Sequence, residues 1–331
     1  MIKATVAQLL NKVPYSIYRT FLGDFVPVLM LHRTRSALSP DGHDLNFLRQ
    51  CLAHLRKEHY NPISLESLIN MANNNLDIPP RSIVFTIDDG FKDNIVDTAS
   101  VFGEFDIPLT CFVITDFIDK GLWPWDDQVK FALSSSHLQK CTLFLPDTSE
   151  LMLEQQNSSF LYLKTFLRDK LKRQPQSTIY NWIKDTLYPS LEVDVPVGPP
   201  SSFLPASWND INQFISAGHF VAPHTQSHRI LSMLTMEEAR REINDSYSLL
   251  KEKVTSVSPV FAYPTGRQGD FTERDEQMCA ELGLSAAVST VPGYWSPNCN
   301  QYSIPRFSFP THFEDFLQYI GAIEAIKEKL K

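Results

Sequence analysis

Seven short, almost uninterrupted apolar segments constrain this chain most. They fall at 25–31, 82–87, 109–115, 219–223, 259–263, 285–290 and 302–307. Alternation of apolar and polar residues marks a strand with one wet face. A continuous apolar run marks a strand covered on both faces, as in parallel sheets and barrels. Parallel neighbours need crossover connections, and the intervening sequence offers amphipathic helices for them. Asp44 is placed to cap a helix whose inner face is Leu45, Leu48, Leu52 and Leu55. Ile95, Ala99, Phe102 and Phe105 form a second such face. Thr235 and Glu238 have capping-box spacing ahead of a helix carrying Ala239, Ile243 and Leu250. Gly218 and Gly283 sit where such helices stop, each just before a strand. The pattern predicts an α/β fold, either a (β/α) barrel or a doubly wound sheet.

The rhythm breaks over 127–205. That stretch reads as helical at 160–171 and 179–187 and ends in the Pro- and Ser-rich run 195–205, a surface loop. We read it as a mostly helical insertion beside the mouth of a single domain spanning 1–331. Lys plus Arg is 30 against 38 Asp plus Glu, a net charge of −8 with no basic block. This excludes a broad nucleic-acid surface. No apolar run approaches the roughly 20 residues of a membrane-spanning helix. The first 25 residues lack the order of a secretory signal. Val6, Leu9, Leu10 and Val13, ended by Pro14, predict a short amphipathic helix that packs on the domain, with peripheral membrane association as the alternative. The five cysteines are odd in number, widely spaced and free of CxxC, which points to a reducing, cytoplasmic setting rather than a disulfide framework.

Two polar clusters directly follow strand segments. Asp88-Asp89-Gly90 ends one strand. Adjacent buried carboxylates raise each other's pKa, and a bound cation removes that penalty. Alone, the triplet reads more readily as a solvated turn. His224-Thr225-Gln226-Ser227-His228 follows another strand. Two imidazoles four residues apart reach one metal if the backbone turns helically between them; alone they read equally well as surface histidines. Together, Asp89, His224 and His228 offer one carboxylate and two imidazoles with positions left open, the donor set of a catalytic rather than a structural zinc site. Asp88 then stays unligated, as a general base.

Thr86-Ile87-Asp88-Asp89-Gly90, His224–His228 and Phe261-Ala262-Tyr263-Pro264-Thr265-Gly266 resemble the three motifs of the NodB-like polysaccharide deacetylases. Met30-Leu31-His32-Arg33 is similar to the "YHR" strand of one branch, 46–55 to the helix after it, and Ser303-Ile304-Pro305-Arg306-Phe307 to the late "LPR" strand. The resemblance implies a distorted seven-stranded (β/α) barrel. It implies metal-dependent removal of an N-acetyl group from an amino sugar of a polysaccharide or glycan precursor, with Zn2+ or another divalent ion. Its metal ligands are Asp89, His224 and His228. Its base is Asp88, its acid His32, with His312 as runner-up, and its oxyanion donor the backbone N–H of Thr265. The family's third-motif arginine is replaced here by Ala262, and Arg306, ahead of Arg267, is expected to take its place. Trp123, Trp125, Tyr294 and Trp295 read equally well as sugar-stacking walls or as cover for the barrel rim, and Trp208 as a packing residue. Two alternatives are another amide hydrolase of formamide or ureide type, and a non-catalytic glycan-binding relative.

Overall fold

The apolar runs become strands buried on both faces. Every residue of β1 (Val26–Leu31) is buried. A computed structural model describes residues 23–35, 42–154, 160–321 and 325–326; the expected helix through Val6 and Val13 lies outside them. Short β2 (Asn61–Pro62) precedes β3 (Ser82–Ile87), again wholly buried, and β4 (Thr110–Val113) follows. Next come the hairpin β5 (Lys140–Phe144) and β6 (Glu150–Glu154), then β7 (Phe220–Pro223), β8 (Val260–Ala262) and β9 (Ala286–Val288). β10 (Tyr294–Trp295) and β11 (Phe307–Ser308) complete the set.

The main sheet runs β10-β1-β3-β4-β7, with β11 also on β1 and β2 on β3, while β8 and β9 form a separate pair. All of these pairings are parallel except β10 with β1. The fold is therefore mixed α/β, and among the described residues the main sheet is open rather than closed by continuous ladders.

Two expected strands move. The segment 109–115 is cut short because Thr115 opens a helix, Thr115–Lys120. The segment 302–307 yields only β11 at its end. Ser303 N–H turns back to Asn300 O (3.0 Å), and Pro305 has no N–H to give a ladder.

The capping expectations hold. Asp44 accepts from Phe47 N–H at 2.9 Å, and Leu48, Leu52 and Leu55 beneath it are fully buried. Thr235 and Glu238 exchange both capping-box bonds at the start of Met236–Lys253. All five cysteines are unpaired. Among the described residues no helix is long and apolar enough to cross a membrane.

One hydrophobic core lies between the sheet and its covering helices, around Leu29, Phe85, Val113 and Phe316. A second gathers Trp125, Val129, Leu143, Leu153, Leu167 and Tyr188, nearly all from the stretch between β4 and β7. The β5–β6 hairpin belongs to it and was not predicted. Leu143 and Leu153 are its inward residues, flanked by exposed ones, so no apolar run announced it. Despite the intervening residues, β4 and β7 pair directly from Thr110↔Phe220 to Val113↔Pro223.

Candidate active site

The C-terminal ends of β1, β3 and β7 open onto one cavity of about 640 Å³. Leaving β3, the backbone turns through two left-handed residues, Asp89 (φ +79°) and Gly90 (φ +83°). A Cβ on Gly90 would stand 2.9 Å from Val113 Cγ1, so the turn needs glycine both for its φ and for its space. The turn sends the two adjacent carboxylates to different partners.

Asp88 faces Arg306. The guanidinium donates from Nη1 to Oδ1 and from Nη2 to Oδ2, each at 2.8 Å, the two-pronged geometry that suits a carboxylate. Arg306 is fully buried and is itself held, donating from Nη1 to Thr86 Oγ1 (3.0 Å) and from Nε to Ser289 O (2.8 Å). Burial alone would raise the pKa of Asp88, but the charge and hydrogen bonds of Arg306 pull it down to about 2. Asp88 is thus a fixed carboxylate at any working pH. Ala262 has no side chain to offer Asp88, but its carbonyl does something else.

That carbonyl lies 2.7 Å from His224 Nδ1. A carbonyl only accepts, so Nδ1 carries the proton and Nε2 turns its lone pair to Asp89. His224 Nε2 and His228 Nε2 each lie 3.6 Å from Asp89 Oδ1. The three potential ligand atoms all fall within 4.8 Å of one another, and all three residues are buried. Burial lowers the His224 pKa to about 3, so its imidazole is neutral, as a ligand must be. Burial pushes Asp89 up to about 8; His228 opposes this, while the carboxylates of Asp88, Asp126 and Asp127 add to it. For His228, burial is outweighed by the Asp126 carboxylate 3.5 Å from Nδ1, which lifts it to about 9. A buried carboxylate driven toward protonation between two convergent imidazoles is a donor set short of a cation. The residues fit a divalent ion.

The histidine loop is not the helical turn expected from its spacing. Thr225 (φ +65°) and His228 (φ +57°) are both left-handed, and Thr225 Oγ1 accepts from His228 N–H at 2.9 Å. The loop is tied down from two sides. Glu242, 3% exposed on the helix behind, accepts from Ser227 N–H at 2.8 Å and from the Ser227 hydroxyl. From the stretch between β4 and β7, Trp125 Nε1 donates to His228 O (3.0 Å) and Tyr180 OH to Ser227 O (2.6 Å). Glu242, Asp126 and Tyr180 were not foreseen. Glu242 had a signal, as a charge on the same helical face as Ala239, Ile243 and Leu250.

His32 and Thr265 line the cavity with Asp88, Asp89 and the two histidines. The His32 ring is reachable by water yet stands inside the concave wall. Loss of bulk solvent lowers its pKa most; Asp88 raises it, and Arg306 and His228 lower it. His312 is exposed at the N-cap of Phe313–Ile320 and takes no part in the lining. Thr265 (φ +53°) is fixed by its carbonyl, which accepts from Thr290 Oγ1 at 2.6 Å, and by its hydroxyl, which donates to Asp270. Arg267 also lines the cavity but, among the described residues, it is Arg306 and not Arg267 that bonds Asp88.

Of the two readings of the loop aromatics, the structure favours packing over stacking walls. Trp123, Trp125, Tyr294 and Trp295 are all buried at 7% exposure or less. Tyr294 OH donates to Tyr319 O (3.0 Å), and Trp125 is spent on the second core and His228. Apolar area won over loop position. Trp208 packs partly buried, donating to Asp119 Oδ1 at 3.0 Å.

Comparison with known proteins gives this geometry its family. The sequence model described as Polysaccharide deacetylase matches residues 76–287, more than half of the chain and all three motifs. The chain belongs to the polysaccharide deacetylase family. It is accordingly a hydrolase that removes N-acetyl groups from glycans. The fold is similar to that of the Streptococcus pyogenes deacetylase PplD, solved in complex with acetate, at 17% identity and TM-score 0.60 over 90% of this chain and 98% of that one. It is also similar to IcaB from Ammonifex degensii (15%, TM-score 0.59, 92% and 98%) and to the BpsB deacetylase domain from Bordetella bronchiseptica (16%, TM-score 0.53, 86% and 95%). No curated protein matches the chain. The polysaccharide deacetylase match leaves out His32 and Arg306, so their places at the site rest on the tertiary structure alone.

Proposed function

We propose that this polysaccharide deacetylase is a divalent-metal enzyme, with zinc the ion of choice, acting on the N-acetyl group of an amino sugar in a glycan or glycan precursor. The observation that carries the reading is the buried Asp89, His224 and His228 cluster beside an Asp88 that Arg306 keeps out of it. One carboxylate with two imidazoles suits zinc, and the ion held there supplies Lewis acidity to water and to the amide carbonyl.

The chain's own groups do the rest. Asp88 is held as carboxylate and accepts a proton at Oδ from the attacking water. Arg306 aims it and stays outside the reacting atoms. The backbone N–H of Thr265 donates to the oxyanion that develops on the amide oxygen. His32 passes a proton to the departing nitrogen. Its lowered basicity makes its imidazolium the stronger acid, at the cost of a smaller protonated fraction. The products are acetate and a free amino sugar.

The same proposal takes the whole chain as one deacetylase domain, with 127–205 an insertion in it. The direct pairing of β4 with β7 across that stretch supports this. A distorted barrel is supported by the links that join the two sheets. Ser258 N–H donates to Val221 O (2.8 Å) on one side, Val288 bridges Ile304 on the other, and β11 returns to β1.

Metal analysis coupled to acetate release over N-acetylated sugars and their oligomers tests the reading. Stoichiometric zinc, with activity lost on chelation and restored by the ion, is the expected result. Full activity in metal-free protein would overturn it.

A further inference from the structure

The mechanism leaves one wall of the catalytic cavity without a role. Arg168 and Lys172, from the end of helix Phe160–Leu171 and the turn after it, and Arg267, from the loop after β8, line the same space as the catalytic groups. Three cations there are unexpected in a chain of net charge −8 acting on a neutral acetamido sugar. Surface steering alone does not account for them, because Lys172 is buried and the Nε of the partly exposed Arg168 is closed off from solvent.

Their acceptors are unevenly supplied. Lys172 is 4% exposed, with Nζ 3.3 Å from Asp270 Oδ2. Asp270 is further engaged by Thr265 Oγ1, by Arg267 N–H (3.1 Å) and by Arg173 (3.6 Å). Asp126, a further carboxylate in the lining, feels the charge of Arg168 and Lys172 but lies nearest His228, 3.5 Å from Nδ1, and forms no ion pair with either cation among the described residues. Among the described residues Arg168 makes one ion pair, with its chain neighbour Asp169 at 3.8 Å, and its buried Nε has no hydrogen-bond partner. The exposed Arg267 side chain has no ion pair among the described residues. Buried donors are normally satisfied, and a guanidinium with an unpartnered buried N–H in a ligand cavity is most simply completed by the ligand.

We propose that Arg168 and Arg267, with Lys172 behind them, form a subsite for an oxyanion on the substrate, so that the deacetylated amino sugar carries a phosphoryl or carboxylate group on itself or on the adjoining unit. The inference rests on the deacetylase reading of the same cavity. A space of this size holds roughly one or two sugar rings, which places the anion close to the acetamido group. Guanidinium forks and an ammonium recognise both oxyanions, and the choice between them belongs to the experiment.

The full-length, zinc-loaded protein is assayed for acetate release from three substrates: an N-acetylhexosamine 1-phosphate, a disaccharide joining N-acetylhexosamine to a uronate, and a neutral di-N-acetylated disaccharide. The expected result is a kcat/KM about tenfold or more higher on one of the anionic substrates, a ratio that shrinks as salt is added. Which of the two wins identifies the phosphoryl or the carboxylate source. Arg168→Gln and Arg267→Gln each lower that ratio about tenfold, and Arg168→Lys restores part of it. Since Arg267 is exposed, its variant probes the subsite without touching the packing. Equal or better turnover of the neutral disaccharide overturns the subsite and leaves the deacetylase reading standing, as does a preference that neither arginine variant changes. No acetate from any of the three rejects both.

Discussion

The Asp88 half of the site hangs on strands, and the Asp89 half hangs on loops. Asp88 leaves β3 and meets Arg306, which immediately precedes β11, while β3 and β11 both pair with β1. Asp89 meets two histidines on an irregular loop braced by Glu242 behind and by Trp125 and Tyr180 from the second core. Neighbouring carboxylates consequently sit at opposite extremes, one at about 2 and the other at about 8. The strand half arrives complete, its charge neutralised within the protein. The loop half keeps a buried carboxylate and two imidazoles that could hold a cation.

Substituting each aspartate separately gives the sharpest test. Asp88→Asn is expected to keep the metal and lose roughly 10³-fold in kcat, as removal of a general base does. Asp89→Asn is expected to lose both, and a metal assay beside the kinetics tells them apart. If Asp88→Asn also sheds its metal, the division between the halves is wrong. Arg306→Gln leaves a buried carboxylate unpaired and is expected to cost about 3–5 kcal/mol of stability by urea unfolding, with the metal content retained. Asp126→Asn acts only on the loop half. It should weaken zinc binding about 10–100-fold by competition with a chelator while Asp88 keeps its Arg306 partner.

The halves also differ in their response to pH. Asp88 has a folded pKa below its ordinary 3.8, so its contribution, about 2 kcal/mol, is fully present above that value and is lost as pH falls through about 2. Asp89 has the opposite sign. Without metal, the folded state binds its proton more tightly than the unfolded chain does, so stability falls as pH rises from 3.8 to about 8. His228, raised from 6.5 to about 9, acts in the same direction higher up. The melting temperature of metal-free protein should therefore decline toward alkaline pH, and zinc should flatten the decline. The smallest expected effect is that of Trp125→Phe, which removes one bond to His228 O for about 1 kcal/mol and loosens zinc a few-fold. An unchanged zinc affinity there would detach the second core from the loop half.

Much of the strand half was legible because its signals are local. Continuous apolar runs marked β1 and β3, Asp44 and Thr235 marked helix starts, and an arginine in Ser303–Phe307 offered itself for Asp88. The loop half was legible only as ligand types. The spacing of His224 and His228 suggested a helical turn, whereas two left-handed residues make the bend. The β5–β6 hairpin alternates too weakly to show as a strand pair. The four aromatic residues read as sugar platforms or as rim cover because they follow strands, and their area is buried in the two cores and under β1.

By itself, the amino-acid sequence determined which chemistry this chain can carry. Carboxylates, imidazoles and glycine at strand ends are chemical types, and burial on both faces of a strand is written in its composition. Only the tertiary structure showed the two-pronged Arg306–Asp88 pair, the left-handed bends of the histidine loop and which side chains stand behind the histidines. Those outcomes depend on distances between residues as far apart as Asp88 and Arg306, and both Coulomb energy and desolvation are set by such distances and by what surrounds them.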